Sequence, residues 1–278
     1  MPESVIQPKY PIFIPSKGRW EYRWTMKAFD EIGVKYSAVI EPQQFDEYAR
    51  YIPQDQIIIL PHSDKGLVVT RNWIWDYAKR QGYKKFWTFD DNIMKFWRWH
   101  LNSKVRVEVP NFLAAIEEWA DRYTNIPIVG MNYFMFVKAR NPDVPIRFNT
   151  RVYSNMLIET DIPYRNRGFY NDDTDLCLQI LSDGFCTALF NAFLVEKRIT
   201  MSQSGGMTPH YEGDGRYKMA LELQQRWPAL VKITRKWGRW QHSVDYRPFK
   251  NNRPIRKPGV EIPEGVNNYG MKLVKLND

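Results

Sequence analysis

Gly66-Leu67-Val68-Val69-Thr70-Arg71-Asn72 opens a segment with Leu67, Thr70, Ile74, Tyr77 and Ala78 on one helical face, and Gly82 ends it. Lys85-Phe86-Trp87-Thr88-Phe89 follows as an aromatic strand and runs straight into Asp90-Asp91-Asn92. Reading outward, the same alternation recurs. Tyr10–Pro15 is a buried strand, residues 20–32 a helix stopped by Gly33, Tyr36–Ile40 a strand, Gln43–Tyr51 a helix and Gln56–Leu60 a strand. Pro110–Tyr123 is a helix with proline in its first turn, and Ile126–Asn132 a strand. Strands alternating with helices of this length predict an α/β fold, a mostly parallel sheet covered on both faces. Ligands of such sheets sit outside the carboxyl ends of the strands. The candidate loops are therefore Pro15 with Ser16–Arg19, Glu41, His62–Gly66 including Lys65, and Asp90–Asn92.

The second half reads differently. Residues 133–165 are strand-like and loop-rich, Asp172–Ser182 is helical, Phe185–Val195 strand-like and Gly215–Trp227 helical. Ser202–Gly206 is a polar, flexible loop leading to His210. Beyond Trp227 the chain turns basic and proline-rich, and extended structure rather than a packed unit is expected.

Composition excludes several classes. With 278 residues, 44% hydrophobic and 26% charged, the chain resembles an ordinary globular protein and not a disordered one. Its longest apolar runs, such as Ile57–Leu60, are far below the roughly 20 residues of a membrane helix. Met1-Pro2-Glu3-Ser4 opens no secretory signal, so a cytoplasmic location is expected. Cys177 and Cys186 lack the spacing of a thiol metal site and read as buried free thiols. The net charge of +9 and 11 tryptophans point toward a polyanion, nucleic acid first.

Two acids and an amide at a strand end can hold a divalent cation through oxygen and share it with phosphate. The same tripeptide also suits a turn with acidic capping residues. Lys17 and Arg19 can meet a pyrophosphate, with Gly18 permitting close backbone approach, or can be solvated loop charges. Arg71 can brace Asp90, touch phosphate or make a surface salt bridge.

The order glycine-led helix with Thr70-Arg71-Asn72, strand, then Asp90-Asp91-Asn92 resembles the GT-A fold of nucleotide-sugar glycosyltransferases, a Rossmann-like architecture. Asn92 departs from the family's Asp-x-Asp pattern: it offers a carbonyl oxygen without charge. The resemblance implies a UDP-sugar donor held by Pro15, Ser16, Lys17, Gly18, Arg19, Glu41, Lys65, Gly66, Arg71, Asp90 and Asp91. It also implies a divalent metal, Mn2+ or Mg2+, on Asp90, Asn92 and His210. Gly168-Phe169-Tyr170-Asn171-Asp172-Asp173-Thr174-Asp175 resembles the acceptor-side motif of that fold. A carboxylate there acts as base: Asp173 first, Asp172 second, with Asp175 structural. An acidic first helical turn favoured by the helix dipole is the plainer reading of the same residues.

Across nearly the whole chain these motifs, with Pro209-His210-Tyr211-Glu212-Gly213-Asp214-Gly215-Arg216-Tyr217, look like the TET-associated glycosyltransferases of bacteriophages. The resemblance implies sugar transfer to 5-hydroxymethylcytosine in phage DNA, in an infected host's cytoplasm, with a TET/JBP-type dioxygenase as functional partner. Independently, Arg226–Lys257 carries ten Lys/Arg against Asp245, with aromatics interleaved. Arg226, Lys232, Arg235, Lys236, Trp237, Arg239 and Trp240 are the expected DNA contacts; a basic tail packed through its tryptophans is the alternative. The expected organisation is a glycosyltransferase domain over 1–225 and a basic aromatic extension over 226–278. Within the domain, 1–132 is the nucleotide-sugar half and 133–225 the acceptor half. Two rival readings are a lipid, protein or glycan acceptor, and a DNA-binding module with a degenerate catalytic site.

Overall fold

The computed structural model describes residues 5–100, 102–138, 144–198 and 213–260. Its centre is a mixed sheet in the order β3-β2-β1-β4-β9-β7-β10-β5-β6. The strands are β1 (Ile12–Pro15), β2 (Ser37–Ile40), β3 (Ile57–Ile59), β4 (Lys85–Phe89), β5 (Ile93–His100), β6 (Ser103–Arg106), β7 (Ile128–Tyr133), β8 (Ile146–Phe148), β9 (Asn155–Glu159) and β10 (Thr187–Lys197). β1 to β4 pair in parallel, and β7 pairs in parallel with β10. β9 is wedged between β4 and β7 and runs against both. β10 bulges between Phe190 and Leu194; its first half pairs with β8 and its second with β5.

Strand alternation feeds two cores. Ile12 and Ile14 of β1, Ala38 and Ile40 of β2, and Trp87 and Phe89 of β4 face one core. Phe13, Val39 and Phe86 face the other. Helices α1 (Trp24–Glu31) and α4 (Asn111–Asp121) cover the first face with Met26, Phe29, Leu113 and Ile116. Helices α3 (Leu67–Arg80) and α5 (Asp172–Ser182) cover the second with Ile74, Trp75, Leu176 and Ile180. Burying such side chains is worth roughly 1.5–3 kcal/mol each. β4 is buried at every position, so its register is fixed and Asp90 must emerge at the sheet edge. Cys177 and Cys186 are free and buried, as expected.

The structure adds the β5–β6 hairpin, for which the sequence reading named no element, and changes three of the elements it did name. The first helix starts at Trp24 rather than residue 20, because Arg23 adopts a left-handed φ of 42°. Residues 43–51 hold only a short α2 (Phe45–Ala49) after a 3-10 turn at Pro42–Gln44. The third difference is the tail, which is packed rather than merely extended. After α6 (Gly215–Arg226), β11 (Val231–Lys236) and β12 (Arg239–Val244) form an antiparallel hairpin. Val231 and Phe249 join Leu178 and Leu181 of α5 and Leu223 of α6 in a third apolar cluster, with Trp227, Val244 and Tyr246 against it. The apolar side chains that do this are scattered among charges and prolines, which hides their common face. The following segment is stitched to the sheet. Asn149 Nδ2 donates to the Phe249 and Asn252 carbonyls, both at 2.9 Å, and Asn125 Nδ2 to that of Arg253 at 2.8 Å. Among the described residues no helix is long and apolar enough to cross a membrane.

Candidate active site

A cleft of ≈ 680 Å³ opens over the ends of β1, β2 and β4. Pro15, Ser16, Lys17, Arg19, Glu41, Lys65, Gly66, Arg71, Asp90, Asp91, Asn92, Asp172 and Asp173 all line it. The topology thus gathers at one place loops that are far apart in sequence, as the carboxyl-end rule requires. Gly18 is not among the lining residues; its N–H donates to Gln44 Oε1 at 2.9 Å, with φ at 65°.

Arg71 is the hub. It is buried on α3, and its Nη2 donates to Asp90 at 2.7 Å and its Nη1 to Asp172 at 2.6 Å. It therefore braces Asp90, and it ties the end of β4 to the start of α5. Asp90 has a second cation. Lys197, the last residue of β10, donates from Nζ to Asp90 Oδ2 and to Ser154 Oγ, both at 2.8 Å. Burial by itself would raise the Asp90 carboxyl, but Lys197 and Arg71 outweigh it and hold Asp90 well below the usual carboxylate range. Burial likewise opposes the charge of Lys197, yet Asp90 beside it drives its pKa upward. Asp91 points the other way, accepting from Ser16 Oγ at 2.8 Å and from Arg19 Nη1. There burial dominates and pushes the carboxyl up, against the pull of Arg19. Lys17 is bound to Asp64 and Glu41, and Glu41 also accepts from the Asp64 N–H at 2.9 Å. Glu41 thus shapes the loop and offsets the Lys17 charge.

Three adjacent acids at the start of α5 have three different environments. Asp172 is buried and committed to Arg71; burial raises its pKa, Arg71 opposing and Asp173 adding to the rise. Asp175 is fully buried, accepting from Arg167 Nε at 2.9 Å, Gln179 Nε2 at 2.9 Å and Trp227 Nε1 at 2.8 Å. It is structural. Asp173 is only half-buried and uses Oδ1 to cap Thr174 N–H at 2.6 Å. Among the described residues its Oδ2 has no hydrogen-bond partner. Asp172 and Asp173 both line the cleft, and of the three acids only Asp173 is outside an ion pair among the described residues.

The donors for a cation are partly described. Each Asp90 oxygen accepts one hydrogen bond and keeps further lone pairs. Asn92 Oδ1 is buried without a partner, an acceptor left over. These two oxygens fit a hard divalent cation. His210, the third expected ligand, lies outside the described residues, as does the loop before it. Among the described residues no group of three His, Cys, Asp or Glu could hold a metal.

The sequence reading missed one whole wall of the cleft. Lys197, Tyr133, Arg151, Tyr153 and Ser154 all line it. Tyr133 and Lys197 end strands β7 and β10, so the carboxyl-end rule applied to the second half would have found them. Arg151 and Tyr153 sit in the β8–β9 connection, where Asn149 and Ser154 take left-handed φ of 56° and 63°. No spacing announces that geometry.

The expected DNA contacts separate in space. Lys232, Arg235, Lys236, Trp237, Arg239 and Trp240 are exposed on the β11–β12 hairpin. Arg226 is not with them. Its guanidinium donates to Glu222 at 2.9 Å and lies 3.6 Å from Asp175, under the Gly168 backbone. It is an internal brace, a correction to its reading as an outward phosphate contact.

A family model described as TET-Associated Glycosyltransferase matches residues 10–206, which contain the cleft-lining loops from Pro15 to Lys197. The chain belongs to that family. No curated protein matches it. The glycosyltransferase has the mixed, mostly parallel sheet flanked by helices that the resemblance implied, and its family name carries a transferase role in a TET-linked modification.

Proposed function

We propose that this glycosyltransferase moves a sugar from a UDP-sugar to the hydroxymethyl group of 5-hydroxymethylcytosine in phage DNA. The observation that carries the reading is Asp173. It presents a carboxylate to a cleft that also holds Asp90, Arg71 and Lys197, in a chain of this family. In the proposed step the acceptor hydroxyl oxygen bonds to the anomeric carbon while the bond from that carbon to the diphosphate oxygen breaks. Asp173 takes the hydroxyl proton. The leaving nucleoside diphosphate takes the electron pair, and Lys65 and Lys197 lie along the cleft as compensating charge. Arg71 pairs with both Asp90 and Asp172, which leaves Asp173 as the carboxylate of this group outside an ion pair among the described residues. A divalent cation, Mn2+ or Mg2+, would be held by Asp90, Asn92 and His210 and would supply charge neutralisation to the diphosphate.

The DNA side of the proposal rests on the hairpin. Lys232, Lys236 and Arg239 are exposed, and phosphate contacts supply most of the affinity for a duplex. A TET/JBP-type dioxygenase would make the acceptor base, and the work would be done in the infected host's cytoplasm. The test is mass spectrometry of nucleosides from hydroxymethylcytosine DNA incubated with the protein and a panel of UDP-sugars. A hexose-shifted hydroxymethylcytidine is expected. Unmodified DNA beside a glycosylated lipid or protein would overturn the acceptor.

A further inference from the structure

Asp90 meets two cations inside the cleft. Arg71 Nη2 reaches one carboxylate oxygen at 2.7 Å and Lys197 Nζ the other at 2.8 Å. Arg71 pairs in turn with Asp172 at 2.6 Å. Two acids and two bases thus form one connected group, balanced in charge, and all four line the cleft.

The two cations are held differently. Arg71 is a planar fork with one prong on each carboxylate, and its side chain is only 6% exposed. It cannot leave Asp90 without disturbing Asp172. Lys197 is a compact charge on a flexible four-carbon stem, and it has one carboxylate partner. Its remaining contacts are hydroxyls, Ser154 Oγ at 2.8 Å and Tyr133 Oη at 3.4 Å. Both stay within its reach if it lets go of Asp90. The Asp90 and Lys197 side chains are also the more open ones, at 21% and 18% exposure. Lys197 is therefore the partner that can yield.

Charge balance sets when it yields. Like charges close together in a partly buried site repel strongly, and there is little water to screen them. A divalent cation arriving alone at Asp90 would meet the Lys197 ammonium and leave the group strongly positive. The diphosphate of a sugar donor brings the compensating negative charge. Its oxygens also offer the ammonium charge-assisted hydrogen bonds in place of the one given up at Asp90.

We propose that Lys197 is a built-in competitor of the divalent cation for Asp90, one that gives way only when a nucleoside diphosphate enters, so that cation binding depends on the donor. The inference rests on the cation reading above and adds what controls that site. Lys197 guards Asp90 against a cation without a donor, and then shifts its charge to the diphosphate.

The experiment titrates Mn2+ into the full chain with and without UDP, following free Mn2+ by electron paramagnetic resonance. The variants are Lys197→Met and Lys197→Gln, which remove the charge, and Lys197→Arg, which keeps it. UDP should tighten Mn2+ binding to the parent about 100-fold, inside the usual range of coupling between two sites. Without UDP, Lys197→Met and Lys197→Gln should bind Mn2+ about tenfold tighter than the parent, and the effect of UDP should shrink by the same factor. Lys197→Arg should behave like the parent. A variant that merely disturbs the site loses affinity for Mn2+, so a gain separates competition from damage. Neutral variants that bind Mn2+ no tighter than the parent would overturn the inference. So would a Lys197→Arg protein that gains affinity as they do, or a parent that binds Mn2+ as tightly without UDP as with it. If neither parent nor variants bind Mn2+ even with UDP, the cation reading itself falls and takes this inference with it.

Discussion

Asp173 and Asp172 are neighbours in sequence and both line the cleft, but only Asp172 is tied up in an ion pair among the described residues. Asp172 is held by Arg71 at 2.6 Å, whereas Asp173 keeps Oδ2 open among the described residues. Asp173→Asn should therefore cost transfer about 100-fold or more while donor binding, followed by calorimetry, persists. A fully active Asp173→Asn enzyme would move the base elsewhere. Lys197→Met tests the charge that holds Asp90. Asp90 has a folded-state pKa below its unfolded value, so its ionisation contributes stability at neutral pH that is lost as pH falls through the folded value. Without Lys197 the folded value rises, and the acid limb of stability should shift to higher pH. Breaking a buried pair from one side costs about 3–5 kcal/mol; the low end or less applies here, because Arg71 still holds Asp90. An unchanged acid limb in thermal melts would contradict this account. Chelation tests the cation proposal separately: transfer should fall with chelator and return with added Mn2+. At this scale the sequence was informative where a motif sits directly on a strand end, as for Asp90 and Asn92. It was silent for Ser154 and Arg151, because left-handed backbone in the β8–β9 connection, not residue spacing, delivers them.

The β11–β12 hairpin is the element whose role the structure changes most. Its register pairs Lys236 with Arg239 and Lys232 with Ser243 on one face, and Arg235 with Trp240 on the other. Arg235 lies over Trp240, and Trp240 meets Tyr217 of α6 edge-on at 5.3 Å. The outward cations are therefore Lys232, Lys236 and Arg239. Reversing these three should lower the slope of log affinity against log salt by roughly 0.9 for each phosphate that is no longer neutralised. A variant that binds and modifies DNA like its parent at every salt concentration would remove the hairpin from the DNA interface. The turn adds a sharper test. Trp237 and Gly238 have φ of 51° and 74°, a type I′ geometry that favours Asn-Gly. A tryptophan there is strained and 89% exposed. Trp237→Asn should raise the melting temperature slightly and weaken DNA binding, which is the signature of a residue kept for binding and not for folding. The α/β core was legible because its strands are continuous apolar runs between glycine-ended helices. The hairpin was not, because one of its faces carries exposed cations, and these charges masked the alternation beneath.

Across the molecule, the tail and the cleft share one framework. Trp227 donates to Asp175 at 2.8 Å, two residues from the candidate base, and Arg167 and Arg226 meet the same carboxylate. Glu222 of α6 accepts from the Phe169 and Tyr170 N–H groups at 2.8 and 3.2 Å, holding two cleft-lining residues. Val231, Val244, Tyr246 and Phe249 then cover Leu178 and Leu181 on the outer side of α5. A truncation that removes everything after Leu230 would strip this cover and unpair Asn125 and Asn149. Each kcal/mol of stability removed lowers the melting temperature by roughly 2–4 °C for a chain of this size, and several buried side chains are at stake, so a fall on the order of 10 °C or more is expected. Donor binding should weaken with it, since α5 and the 168–170 loop lose their backing. A detachable DNA-binding extension behaves otherwise: the shortened protein would melt like the parent and bind donor as tightly, losing affinity for DNA alone. Thermal melts and donor titrations on the one truncation separate the two. The apolar cover that Val231, Val244, Tyr246 and Phe249 lay over Leu178 and Leu181 of α5, the helix whose first turn carries the candidate base, is the physical reason to expect coupled loss.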